Sequence, residues 1–139
     1  MATSRSRMAE LYGRLVTIAQ AANRSIRALR ETMSDVEIVF CDALESSTVN
    51  GQTCAENPDL LRRIEEDVTL RNHRRFIVMD LIIGRVDLEH PLRNWLVNHG
   101  FAEMDLNWFL RNQAEIDVLG LDYYEHSEIP RSQRQILAE

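Results

Sequence analysis

The stretch Arg62 to Phe76, RRIEEDVTLRNHRRF, gathers carboxylates, arginines and a histidine in fifteen residues, the ingredients of a helical metal site. A carboxylate metal centre in a helix bundle needs a Glu-x-x-His pair, so that both ligands leave one face a turn apart. The spacing excludes it here. Glu66 and Asp67 precede His73 by about two helical turns, and the positions three and four before His73 are Leu70 and Thr69. Arg62 with Glu66, and Arg63, Asp67 and Arg71, instead stand four apart, as charge pairs on a water-facing helix do. Asn72 falls on the apolar side of the same helix, between Val68 and Phe76. An unpartnered buried amide costs about 1–3 kcal/mol, so its hydrogen bonds are expected to be satisfied.

The remaining reactive residues form no local constellation. His90 precedes Pro91, His99 precedes Gly100 at a helix end, and His126 lies among acids in YYEHSEIP. Cys41 and Cys54 lack metal spacing and are too few for a disulfide framework, which points to a reducing cytoplasm. There is no Gly-rich phosphate loop and no nucleophile elbow. The sequence therefore predicts no catalytic residues, no cofactor and no metal, and a protein that is not an enzyme.

Composition sets the frame that must position any site. The 139 residues carry a net charge of −6, with 45% hydrophobic and 27% charged side chains, the balance of a globular domain. No apolar run is long enough for a membrane span, and MATSRSRMAELYGRLV has no signal-peptide core. All sixteen basic residues are arginine. A single domain over 1–139 is expected, with residues 1–7 flexible.

Apolar residues at Met8, Leu11, Leu15, Ile18, Ala22, Ile26, Leu29, Met33, Val36, Phe40 and Ala43 follow in steps of three and four. That spacing predicts a helix, or two collinear ones meeting at Ser34, over roughly residues 6 to 47. VEIVF, Val36 to Phe40, is β-branched but keeps this helical phase. A second long helix is expected from Asn57 and Pro58 to Gly84, antiparallel to the first. Pro91 and Pro130 are read as further helix starts, and Gly51, Gly84, Gly100 and Gly120 as helix ends. The expected fold is all-α: a helical bundle on the long N-terminal helix and its antiparallel partner, followed by a C-terminal helical pair.

Function then follows from surfaces. The seam Leu11, Leu15, Ile18, Ala22, Ile26 and Leu29 repeats closely enough to a heptad to pair two copies as a homodimer. Residues 1–34 hold six arginines and two glutamates, whereas the other 105 hold ten arginines and twenty acids. The basic segment suits either packing on the acidic half or a nucleic-acid arm. The pair of helices over 91–119 is similar in layout to a helix-turn-helix DNA reader. From Phe101 to Glu128, however, seven acids accompany the single cation Arg111, a balance that repels phosphate. Six of the nine aromatics fall between residues 95 and 124. Trp108 and Phe109 are adjacent, so their side chains diverge by about 100° and cannot share one narrow core. An exposed aromatic surface of Trp95, Asp105, Trp108, Phe109 and Arg111 is therefore the expected contact for another protein. The sequence predicts a small acidic regulator, inhibitor or adaptor acting by protein–protein binding. The alternative is a nucleic-acid-binding transcriptional regulator using the basic helix or the 91–119 pair.

Overall fold

The computed structural model describes residues 4–43, 45–50 and 57–131, with side chains from Glu10 onward. In chain order it contains α1 (Ser4–Thr32), β1 (Val39–Ala43), β2 (Ser46–Val49), α2 (Pro58–Arg74), α3 (Ile77–Ile82), α4 (Arg93–Asn98), α5 (Glu103–Arg111), β3 (Val118–Asp122), a 3-10 turn (Glu125–Ser127) and β4 (Glu128–Arg131). With 56% helix and 16% strand in two parallel two-stranded sheets, β1 with β3 and β2 with β4, the fold is mixed α/β and not all-α.

The error lies at Thr32. Helical phase continues past it, but α1 stops there, where the Thr32 hydroxyl donates back to the Ala28 and Leu29 carbonyls. Ser34 opens a turn, not a second helix, and Val39–Ala43 is a strand. From Glu37 to Ala43 the side chains alternate between exposed and less exposed positions, the period of two that β-branched residues favour. A short apolar run satisfies both periods, so spacing alone does not separate them. Gly120 and Pro130 also lie within strands. A Cβ at Gly120 would stand 2.7 Å from Cys41 Sγ, a close approach that explains glycine there. Pro130, opposite Thr48, belongs to a strand with one hydrogen-bonded neighbour, where a missing donor is tolerated.

The chain forms two compact units. The first comprises residues 1–40 and 76–119. Its core is built from Tyr12, Val16, Ala19 and Ile26 of α1, Leu81 and Ile82 of α3, and Leu92, Leu96, Phe101, Leu106 and Phe109 of the helical pair. The α1 residues are spaced four, three and seven apart, so they form one inward stripe. Gly84 and Gly100 close α3 and α4 with φ of 69° and 106°, the left-handed conformation expected of glycine at helix ends.

The second unit comprises residues 41–75 and 120–139. There α2 packs on β2, which pairs with β4 in the register Ser46↔Glu128 to Val49↔Arg131. Asn57 caps α2 through Leu60 N–H at 3.1 Å, and Pro58 stands in the first turn, as the sequence indicates. The expected second long helix is divided: α2 ends at Arg74, and the separate α3 belongs to the first unit. No described helix is long and apolar enough to cross a membrane.

Candidate interaction surface

RRIEEDVTLRNHRRF has two sides. Arg62 and Glu66 pair at 2.6 Å on a well exposed face, and His73 is exposed. The other side turns inward. Asp67 Oδ2 accepts Arg71 Nε at 2.8 Å and Arg131 Nε of β4 at 3.3 Å. The Asn72 amide pairs with the Ser47 backbone in both directions at 3.0 Å, which satisfies this amide as expected. Arg75 Nη2 donates to Ser47 Oγ at 3.4 Å. The water-facing description therefore holds for only half the stretch; the rest ties α2 to β2 and β4. Among the described residues no three His, Cys, Asp or Glu side chains converge as a metal site requires.

Three arginines of α1, Arg24, Arg27 and Arg30, have partners on other elements of the first unit. Arg24 lies 5.3 Å above the Trp108 ring, and Arg27 Nη1 donates to Asn112 Oδ1 at 2.8 Å. Arg30 pairs with Asp117 and donates to the Glu115 carbonyl. The basic face packs on α5 and the segment after it. Asp117 also accepts the Ile38 N–H at 2.8 Å; that backbone bond, with Arg30 beside it, holds its carboxyl below the ordinary carboxylate value. A depressed pKa stabilises the fold above the unfolded value of about 3.9 and loses that contribution as pH falls through the lower folded value. Thermal midpoints of wild type and Asp117→Asn, compared from pH 7 downward, are thus expected to differ at neutrality and converge in acid. A constant gap would remove the carboxylate from the account.

Among the described residues of this unit, His90 and Asp80 form a buried acid–base pair. His90 Nε2 meets Asp80 Oδ2 at 3.3 Å, and His90 Nδ1 accepts the Leu92 N–H at 3.2 Å. The buried Arg93 donates to the Val86 carbonyl at 2.9 Å and to Asn107 Oδ1 at 3.4 Å. Both ring nitrogens are engaged, so the pair has no free position from which to accept a nucleophile's proton. Its evident work is to fasten the segment between α3 and α4.

The aromatic residues expected to form a contact surface are mostly inside. Phe109 is 1% exposed and belongs to the core. Trp95 is half-buried, edge-on to Tyr12 at 5.9 Å and stacked on His99 at 4.2 Å. Trp108 is half-buried beneath Arg24, Asp105 is half-buried, and Arg111 is exposed. These five do not form an open patch of aromatic anchors.

Exposed aromatics occur instead in the second unit, just after β3. Tyr123 and Tyr124 are 50% and 51% exposed, and Leu121 beside them is exposed as well. The Tyr123 hydroxyl donates to Glu128 Oε1 at 2.7 Å, and that carboxylate holds its pKa above the ordinary phenol value. Tyr124 is likewise raised by its hydrogen bond to Asp122, and its ring stacks on His126 at 5.4 Å. Burial lowers the Arg75 pKa, while the Glu45 carboxylate and Tyr123 counter the shift. Both phenols stay protonated, with rings fixed beside carboxylates in a segment that also carries Glu125. Sequence reasoning placed His126 among acids but did not single out the exposure of Tyr123 and Tyr124. The available signal was YYE in an acidic run, outside any helical pattern. The chain matches no family model, no curated protein and no solved structure.

Proposed function

We propose that this protein is a non-catalytic regulator, inhibitor or adaptor that binds an arginine-bearing protein segment through the acidic tyrosine surface after β3. The observation that carries this reading is the half-exposure of two adjacent tyrosines whose hydroxyls are already bonded to carboxylates. Such rings cost little ordering on binding, and their faces and neighbouring acids both attract a guanidinium. A cation over an aromatic face contributes about 0.5–1 kcal/mol when exposed and about 2 when desolvated. Aromatic and arginine anchors dominate interface energetics. The engaged arginines of α1 favour protein over nucleic acid as the partner. The cytoplasm is the proposed compartment, from the cysteine usage.

The test is calorimetric titration with an arginine-rich peptide and a glutamate-rich control, on wild type and on the Tyr123→Ala/Tyr124→Ala double variant. Selective binding of the basic peptide, weakened about tenfold by the double variant and by added salt, is the expected result. Equal affinity in both proteins would refute the surface.

A further inference from the structure

After β3 the stretch YYEHSEIP folds into the 3-10 turn, and this turn sets His126 against Tyr124. Tyr124 N–H donates to Ser127 Oγ at 3.0 Å, and Ser127 N–H donates to the Tyr124 carbonyl at 2.8 Å. These reciprocal bonds, with Ser127 buried, fix the turn and hold the two rings 5.4 Å apart at 10° to one another. Both residues are exposed. Imidazole is the side chain whose ordinary titration falls between about pH 5 and 8. Neutral, it stacks as an uncharged ring; protonated, it is a cation within the roughly 6 Å at which an aromatic face attracts one. We infer that His126 makes the tyrosine surface pH-sensitive, its protonated ring occupying Tyr124 as an internal cation that competes with an arginine-bearing segment. This regulation rests on the tyrosine surface being the docking site.

The neighbouring charges reinforce the competition. Asp122 of β3, Glu125 of the turn and Glu128 of β4 flank His126 along the chain. Asp122 and Glu128 also accept the two phenol hydroxyls, which keeps both phenols protonated over the whole range in which imidazoles titrate. On the other elements of this unit, Arg75 acts on Tyr123 while Glu45 acts on Arg75. Arg131 of β4 is held by Asp67 of α2. A proton gained by His126 therefore places a positive charge on the ring, and among the acids, that draw the partner's guanidinium. Losing one exposed cation–π contact to this internal rival weakens docking about two- to fivefold. The coupling is reciprocal: a proton that weakens docking is expelled by docking.

The test is calorimetric titration of the full chain with a histidine-free, N-acetylated arginine-rich peptide, at constant ionic strength from about pH 8 to 5.5. Ordinary carboxylates stay ionised and arginine stays charged throughout that interval. Wild type should bind about two- to fivefold more weakly at the acid end. It should also release protons on binding there, read from buffers of different ionisation enthalpy. His126→Gln should keep the tighter affinity across the series, and His126→Arg, a permanent cation, the weaker one. The same pH dependence in His126→Gln, or none in wild type, would overturn the regulation. Binding that is still lost in Tyr123→Ala/Tyr124→Ala would then uphold the docking site alone. Absence of binding at every pH would remove the surface and its regulation together.

Discussion

Replacing Asn23 by leucine is expected to destabilise the first unit by about 2–3 kcal/mol, and replacing it by aspartate by more. Asn23 is fully buried, and its Nδ2 donates to the Ile82 carbonyl at 2.9 Å and to the Asn112 carbonyl at 2.6 Å. Ile82 is the last residue of α3, and Asn112 caps α5, so the amide serves two helix ends whose carbonyls lack intrahelical donors. The two acceptors are not equivalent. The Ile82 carbonyl also accepts Ala114 N–H at 3.0 Å, so leucine leaves chiefly the Asn112 carbonyl without its donor. That loss costs about 1–3 kcal/mol, and breaking the second bond adds about 1. One effect opposes them: Asn23 Oδ1 is buried without a hydrogen-bond partner among the described residues, and leucine removes that defect. Aspartate has no such offset, since it turns two oxygens toward two carbonyls and either buries a charge or takes up a proton. Both tryptophans, Trp95 and Trp108, lie in this unit, so their fluorescence reports its unfolding directly. A leucine variant as stable as wild type would show that the helix ends do not need the clamp.

Asn23 also shows how the sequence conceals its design. It occupies an inward position of α1, between Ala19 and Ile26, and single-residue patterning reads such an asparagine as a flaw in the apolar stripe. Asn72 of α2 was legible as a satisfied amide because it interrupts an otherwise continuous stripe; its partner, the Ser47 backbone twenty-five residues earlier, was not. Local signals with short-range causes were read correctly: the Asn57–Pro58 helix start, and Gly84 and Gly100 at helix ends. The two sheets were missed because their pairing is long-range. β1 meets β3, and β2 meets β4, about eighty residues away, and nothing within five residues of apolar chain announces a partner at that distance. The surface residues suffered from the same blindness. The heptad phase identified an apolar stripe on α1 but could not divide it into an inward and an outward face, which is why Ile26 and Ile18 looked alike.

Phe109→Ala should cost about 3–5 kcal/mol, the usual range for removing a buried aromatic ring, whereas Trp108→Ala should cost distinctly less. The two neighbours diverge around α5. Phe109 enters the core, while Trp108 stays half-buried with its ring 5.1 Å from that of Phe109, edge to face at 87°, and with Arg24 on its other contact. Truncating Trp108 forfeits the cation–π contact, about 0.5–1 kcal/mol near a surface, plus the part of its area that is covered. Truncating Phe109, 1% exposed, leaves a cavity in the core that close packing cannot readily fill. Arg24→Ala separates the contributions further: it should reproduce only the small cation–π share and leave Phe109 untouched. Chemical denaturation of the three variants, followed by tryptophan fluorescence or, for Trp108→Ala, by the remaining Trp95, gives the ranking. An order of Phe109, then Trp108, then Arg24 supports a structural role for this aromatic pair and leaves binding to the tyrosines of the second unit. A stable, folded Phe109→Ala that loses affinity for a basic peptide would return the contact surface to α5.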